Sequence, residues 1–240
     1  MSEMVARERL SDLALIDLQA VALYTHDARG RIVRINEPDG ERAPRLFLGR
    51  TRAGNLWRFR NDLPDDLVAA LDRRLAREPI AADLSQPPAC YDDLYDLLQS
   101  QAPVAAIWAG PAWRFPDEIA VPTGVVAITP ANSDLLRAHF PWAAREIAAL
   151  LPCYAVVQGG AAVSICRSVR LTPDAAEAGV DTVAAYRGRG YATAVAAAWA
   201  IAVRASGRIP LYSTSWDNLA SRRVAQHLGL VLYGADLAFV

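Results

Sequence analysis

The chain has 240 residues, of which 53% are hydrophobic and 21% charged, with a formal net charge of −1. That composition excludes a disordered polymer and leaves no overall charge to draw the chain to nucleic acid or to a membrane surface. The length suits one large domain or two small ones.

Leu10, Leu13, Leu15, Ile16, Leu18 and Val21 fall at helical spacing, so Val5 to Thr25 is expected to be an amphipathic helix stopped by "DARG". "RIVRIN" and "RLFLGRT" alternate around "EPDGE", a hairpin signal, and "RLFLGRT" with "NLWRFR" around "AGN" is a second. Two helices follow, "PDDLVAALDRRLARE" and "ACYDDLYDLLQSQ". This half reads as a small α+β domain. "PVAAIWAG" and "GVVAIT" are apolar and bounded by Pro and Gly, the pattern of buried strands, with a domain boundary between them.

The second half opens with the helical stretch "TPANSDLLRAHFPWAAREIAALL", which Asn132 or Ser133 can cap. "CYAVVQ" and "AAVSICRSVRL" flank a Gly-Gly turn, the strongest hairpin signal in the chain. A strand "EAGVDTVAA", a loop "RGRG", a helix from Tyr191 to Ala205 and a strand "RIPLYSTSW" come next. "DNLASRRVAQHLG" reads as a capped helix ending at Gly229, and "LVLYGADLAFV" as a bent hairpin. The order is β-α-β-β-β-α-β-α-β.

All basic residues are arginine, which reads as GC-rich codon use and leaves no lysine for a Schiff base. Cys90, Cys153, Cys166, His26, His139 and His227 stand singly, without metal-ligand spacing. No metal is expected, and reduced thiols suit a cytoplasmic protein. The N-terminus lacks the apolar run of a signal peptide, and the apolar run from Ala192 to Val203 is too short to cross a bilayer.

The segment "YRGRGYA" has the parts of an anion cradle. Gly188 and Gly190 admit backbone conformations closed to other residues. The next helix begins with unpaired N–H groups and the positive end of its dipole. Arg187 and Arg189 add charge-assisted donors. An ordinary surface turn before a core helix is the alternative. A nucleoside-triphosphate loop and a dinucleotide fingerprint are both absent from the sequence.

Residues 123–240 resemble the GNAT superfamily of N-acetyltransferases. Arg187, Gly190 and Ala192 match its [QR]-x-x-G-x-[GA] motif, and Asn218 followed by "HLGL" matches the next landmark. The resemblance implies an α/β (α+β) fold class: a mixed, mostly antiparallel sheet with splayed central strands flanked by helices. With it goes a smaller N-terminal α+β domain, the division falling at 1–115 and 116–240. It also implies acetyl-CoA (coenzyme A) as co-substrate. The backbone of Arg187, Gly188, Arg189, Gly190, Tyr191 and Ala192 would wrap the pyrophosphate. Val180, Thr182 and Val183, on a strand running to Ala184, would pair with the pantetheine arm. Asn218 and Ser221 would meet that arm or an ordered water.

Acetyl transfer to an amine needs a base, and Glu177 and Asp181 are the candidates on the strand entering the loop. Many relatives carry a Tyr seven residues after the Asn; here that position is Ala225. Tyr212, Ser213, Ser215, Tyr233 or water could take its place beside the departing thiolate. Ser213 and Ser215 share one strand face, and Tyr212, Thr214 and Trp216 the other. His227 is expected on the exposed face of its helix. The expected partners are acyl-CoA and an amine; a membrane is not expected, nucleic acid is disfavoured, and a homodimer stays open. A non-catalytic acyl-CoA-binding module is the rival reading. Residues 29–60 hold Arg29, Arg31, Arg34, Arg42, Arg45, Arg50, Arg52, Arg58 and Arg60 beside Trp57 and Phe59, diluted by Asp27, Glu37, Asp39 and Glu41. A solvated hairpin face is preferred there over a nucleic-acid surface.

Overall fold

The structure is a computed structural model that describes residues 10–37 and 42–240. Val5, Asp39 and Glu41 lie outside the described residues. In chain order the elements are α1 (Asp12–Leu23), β1 (Tyr24–His26), β2 (Ile32–Ile35), β3 (Leu46–Arg50), β4 (Asn55–Phe59), α2 (Asp65–Leu75), α3 (Tyr91–Gln101) and β5 (Ile107–Arg114). Then come β6 (Val125–Ile128), a 3-10 segment (Pro130–Leu136), α4 (Pro141–Glu146), β7 (Cys153–Gln158), β8 (Ala161–Leu171) and β9 (Ala175–Thr182). The last are α5 (Tyr191–Ala205), β10 (Ile209–Ser213), α6 (Leu219–His227) and β11 (Val231–Phe239). The chain forms two compact units.

The first unit comprises Met1–Trp113 together with Ser213–Leu219 and Leu232–Val240. Its strands run in the order β4-β3-β11-β5. β3 pairs antiparallel with β4 from Leu46↔Phe59 to Arg50↔Asn55, and with β11 from Phe239↔Leu46 to Ala235↔Arg50. Leu46, Leu48, Leu237 and Phe239 point to one face, where Leu71, Leu75, Leu94 and Leu98 of α2 and α3 cover them. Side chains alternate along a strand, so Phe47 lies on the other face, packed with Ala20, Leu23 and Tyr24.

The "RLFLGRT"–"NLWRFR" hairpin forms as expected, but "RIVRIN" does not pair with "RLFLGRT". β2 pairs with β1, Tyr24↔Ile35 and Thr25↔Arg34. "DARG" is the turn between them and not a helix stop: the Asp27 carboxylate accepts from the Arg29 and Arg31 amides, and Gly30 takes φ 74°. The helix itself stops at Leu23. The chain end is a single nine-residue strand, not a bent hairpin, because Gly234 lies against the Arg50 carbonyl inside the sheet.

The second unit comprises Arg114–Tyr212 and Ala220–Val231, with strand order β10-β9-β8-β7-β6. The pairs β6–β7, β7–β8 and β8–β9 are antiparallel, and β9–β10 is parallel. This is the mixed, mostly antiparallel arrangement expected. Gly159 and Gly160, at φ 57° and 81°, make the hairpin turn foreseen between β7 and β8. The stretch after Thr129 is broken, with a 3-10 segment, α4 and a second 3-10 turn (Ile147–Ala149) in place of one helix. Pro141 cannot donate to the preceding turn and restarts the helix. Asn132 accepts from the Thr129 amide, so it closes a capping box from inside the segment. β6 is the outer strand and half open to solvent, not buried.

One face of this sheet packs Ile165 and Ala155 against Leu136, Phe140, Ala143 and Ile147. The other carries α5, whose buried Val195, Trp199 and Val203 recur at the four-residue helical spacing. The Trp199 indole N–H donates to the Ser168 hydroxyl of β8 at 3.1 Å, which satisfies its one polar atom. The small residues Ala196, Ala197 and Ala200 are also buried, so the helix backbone lies close to the strands.

Candidate functional site

β9 has neighbours of unequal length. On one side β8 pairs with it from Leu171↔Ala176 to Ser164↔Thr182. On the other, β10 pairs only at Ile209↔Ala175, Pro210↔Ala176 and Leu211↔Glu177. Beyond Glu177 the two parallel strands part, and the edge of β9 from Ala178 to Thr182 faces away from β8 without a β10 partner. A β-bulge in β8 sits at the same level, where Val169 is skipped between Ser168↔Ala178 and Arg170↔Glu177. Gly179 makes room for it: a Cβ there would overlap the Val169 side chain.

β9 ends at Thr182, two residues earlier than the expected Ala184, and Ala184–Tyr186 form a 3-10 turn. The Arg187 guanidinium donates to the Thr182 carbonyl at 3.3 Å. Arg189 lies over the Tyr186 ring at 5.2 Å and donates to the Ala185 carbonyl. Gly188 and Gly190 take φ 76° and 78°, and a Cβ at either would meet nothing within 4 Å. The loop therefore curls through two left-handed residues and leaves open space on its outer side. α5 starts at Tyr191, as expected, and its first helical bond runs from the Ala194 amide to the Gly190 carbonyl. The amides of Tyr191, Ala192 and Thr193 thus lie ahead of the helical ladder at the positive end of the dipole.

The structure separates the two candidate bases by environment. Glu177 is 2% exposed and belongs to the last pair before β9 and β10 part. Asp181 is half-exposed and accepts from Arg167 at 2.6 Å. The Arg167 guanidinium also lies 4.3 Å from the Trp142 ring centre, so this pair stitches α4 to β8 and β9.

Tyr212 is 3% exposed, with its hydroxyl 2.7 Å from the Ser221 hydroxyl of α6. Its ring meets Phe115 edge-on at 6.3 Å, and Phe115 in turn packs on Trp199. Burial pushes the Tyr212 phenol up to about 12, against the opposing pull of its bond with Ser221. Ala225 is buried one helical turn beyond Ser221. His227 is exposed in the last turn, as expected.

Ser215 and Asn218 belong to the first unit. The Asn218 amide donates to the Ser215 carbonyl in a turn, and the Thr214 and Trp216 amides donate to the carbonyls of Pro111 and Ala109 in β5. Gly110 lies so close that a Cβ would overlap the Thr214 carbonyl oxygen. Sequence reasoning missed Gly110, Gly179 and Arg167; a lone Gly inside an apolar strand was the available signal for the two glycines. Tyr233, one of the possible substitutes for the missing Tyr, is buried and donates to Gln19 in the first unit.

Burial pushes the Cys153 thiol up to about 11 and the fully enclosed Cys166 thiol well above its ordinary value. Neither has the thiolate character of a nucleophile. Among the described residues no group of His, Cys, Asp and Glu could hold a metal ion, and no helix is long and apolar enough to cross a membrane.

A strand that parts from its parallel neighbour, followed by a doubly left-handed glycine loop and a helix N-terminus, marks a mixed α/β unit. Residues 152–235 match the family model described as GNAT acetyltransferase. A GCN5-related N-acetyltransferase-like protein from Streptococcus suis 89/1591 shares the fold at a TM-score of 0.50 and 17% identity, over 82% of this chain and 85% of that one. A GNAT-family protein from Novosphingobium aromaticivorans DSM 12444 matches at TM-score 0.47 and 22% identity, over 57% of this chain and 65% of that one. A GNAT-family acetyltransferase from Colwellia psychrerythraea matches at TM-score 0.46 and 16% identity, over 59% and 61%. The match thus spans less than two thirds of the latter two chains. No curated protein matches.

Proposed function

We propose that the protein is an acyl-CoA-dependent N-acyltransferase that moves an acetyl group from acetyl-CoA to an amine by direct attack in a ternary complex. The observation that carries this reading is the loop Arg187–Gly190, with its two left-handed glycines, opening α5 beside the free edge of β9. The loop amides and the Arg187 and Arg189 side chains would hold the pyrophosphate. Val180, Thr182 and Val183 offer main-chain groups to an extended pantetheine arm, as an added strand would use them. Ser221 would complete the donor contacts in this reading.

Glu177 is the preferred base. It lies where the strands part, whereas Asp181 is engaged by Arg167. The amine nitrogen bonds to the thioester carbonyl carbon, and its proton passes to Glu177 directly or through water. The carbon–sulfur bond then breaks and the departing thiolate takes a proton from water. With a free-thiol pKa of about 8.5, it leaves without a strong acid beside it. Tyr212 would be a poor acid, since its phenol holds its proton up to about 12. A cytoplasmic location fits three free cysteines.

The rival, a non-catalytic acyl-CoA-binding module, draws on Ala225, which is buried where relatives carry a Tyr. One experiment separates the two. Acetyl-CoA at about 100 times its Kd should stabilise the protein by about 2.7 kcal/mol. Release of free CoA over an amine panel should then show turnover. Absence of stabilisation by any acyl-CoA would sink the acyltransferase reading, and stabilisation without turnover favours the binding module.

A further inference from the structure

The buried Tyr212 hydroxyl has a use that does not require it to touch a substrate. Tyr212 follows Leu211 in β10, and Leu211 pairs with Glu177 at the point where the strands part. Its ring is fixed from behind by Phe115, which Trp199 of α5 backs in turn. Its hydroxyl meets a hydroxyl on another element, Ser221 in the first turns of α6, at 2.7 Å, and comes within 3.5 Å of the Ser221 carbonyl. Ser221 is half-buried where Tyr212 is enclosed, so of the two only Ser221 reaches the surface of the unit. A hydrogen bond between two hydroxyls constrains both, and within a low-dielectric interior it polarises the outer one.

We propose that Tyr212 is a positioning residue that acts through Ser221: the enclosed phenol fixes the Ser221 hydroxyl and with it the start of α6, and Ser221 is the member of the pair that meets acyl-CoA. The proposal rests on the acyltransferase reading above. It gives Tyr212 and Ser221 one shared role in place of two separate ones. Phe115 and Trp199 make the arrangement rigid, linking the helix behind the glycine loop to the helix that bears Ser221.

The test is calorimetric binding of acetyl-CoA to the full chain, with the melting temperature of each free variant measured alongside. Tyr212→Phe keeps the ring packing and removes only the hydroxyl. It and Ser221→Ala should each weaken acetyl-CoA binding by about five- to tenfold. The double variant should bind no more weakly than Ser221→Ala alone, and Ser221→Thr should restore binding. Wild-type affinity in Tyr212→Phe, whatever its melting temperature, overturns the proposal, as do losses that multiply in the double variant. If Tyr212→Phe does not fold, Ser221→Ala decides against Ser221→Thr, and equal affinities overturn it. Failure of the wild-type protein to bind any acyl-CoA is a separate outcome, read before any variant is made, and overturns the acyltransferase reading as well.

Discussion

Arg45 shows how differently one residue type is used along this chain. It is 3% exposed and donates to the carbonyls of Leu98, Ala102 and Pro103, closing the C-terminus of α3. A cation at that end of a helix satisfies orphan carbonyls and opposes the dipole. Arg60 is likewise buried, against the Ala43 carbonyl and Asp62, and Arg50 against the Gln86 carbonyl. Arg58 and Arg31 are paired with Asp17 and Asp65. Several of the nine arginines between 29 and 60 are therefore spent inside the first unit and do not form a solvated face. Arg45→Met should cost about 2–4 kcal/mol in urea unfolding, because three carbonyls lose a charged donor. His26 gives a prediction in pH. Burial first, then Arg58, lowers its pKa from the ordinary 6.5. The unfolded chain thus binds the proton first, and stability should fall as pH drops below 6.5 toward the lowered folded value. His26→Gln should flatten that dependence in melting curves between pH 7.5 and 5; an unchanged slope would refute the assignment.

At the scale of elements, the loop and the helix behind it can be perturbed separately. Gly190→Val forces a branched side chain into a left-handed residue with open space around it, so the strain is local, on the order of 1–2 kcal/mol. Acetyl-CoA binding should be lost while cooperative unfolding persists. Gly207, at φ 79° and equally open, closes the other end of α5; Gly207→Ala carries comparable strain and should leave binding intact. These elements were legible in the sequence because their signals are local. Tyr191–Ala205, the Gly159–Gly160 hairpin and the Gly229 stop of α6 each rest on a few adjacent residues. The β1–β2 hairpin and the break at Pro141 rest on local features that apolar spacing alone does not show, whereas the single strand β11 depends on a partner far off in sequence, β3. For the same reason Glu177 and Asp181 look alike in sequence, four apart on one strand. Only the neighbouring strands distinguish them, since Leu211 of β10 pairs beside one and Arg167 reaches the other.

At the scale of the whole molecule, the sequence suggested a linear division, whereas the first unit gathers three stretches of chain. Gly110 is where the second of those stretches is held. Gly110→Ala would drive a Cβ into the Thr214 carbonyl, a backbone atom that cannot step aside as a flexible side chain can. We expect it to destabilise the first unit and to move Ser215 and Asn218; an unchanged melting temperature would show that the close approach is not maintained. The third stretch, β11, matters for the order of events in synthesis. It lies between β3 and β5 in the first unit, and its Leu237 and Phe239 complete the core under α2 and α3. Domains commonly fold as they leave the ribosome, N-terminal part first. Here residues 1–113 emerge early with β3 and β5 exposing the edges that β11 will join. They must wait, unpaired there, until β11 has been made. Truncation before β11 should therefore damage the part of the first unit made ahead of it, and ribosome-bound chains should gain protease resistance in that part only after β11 is released.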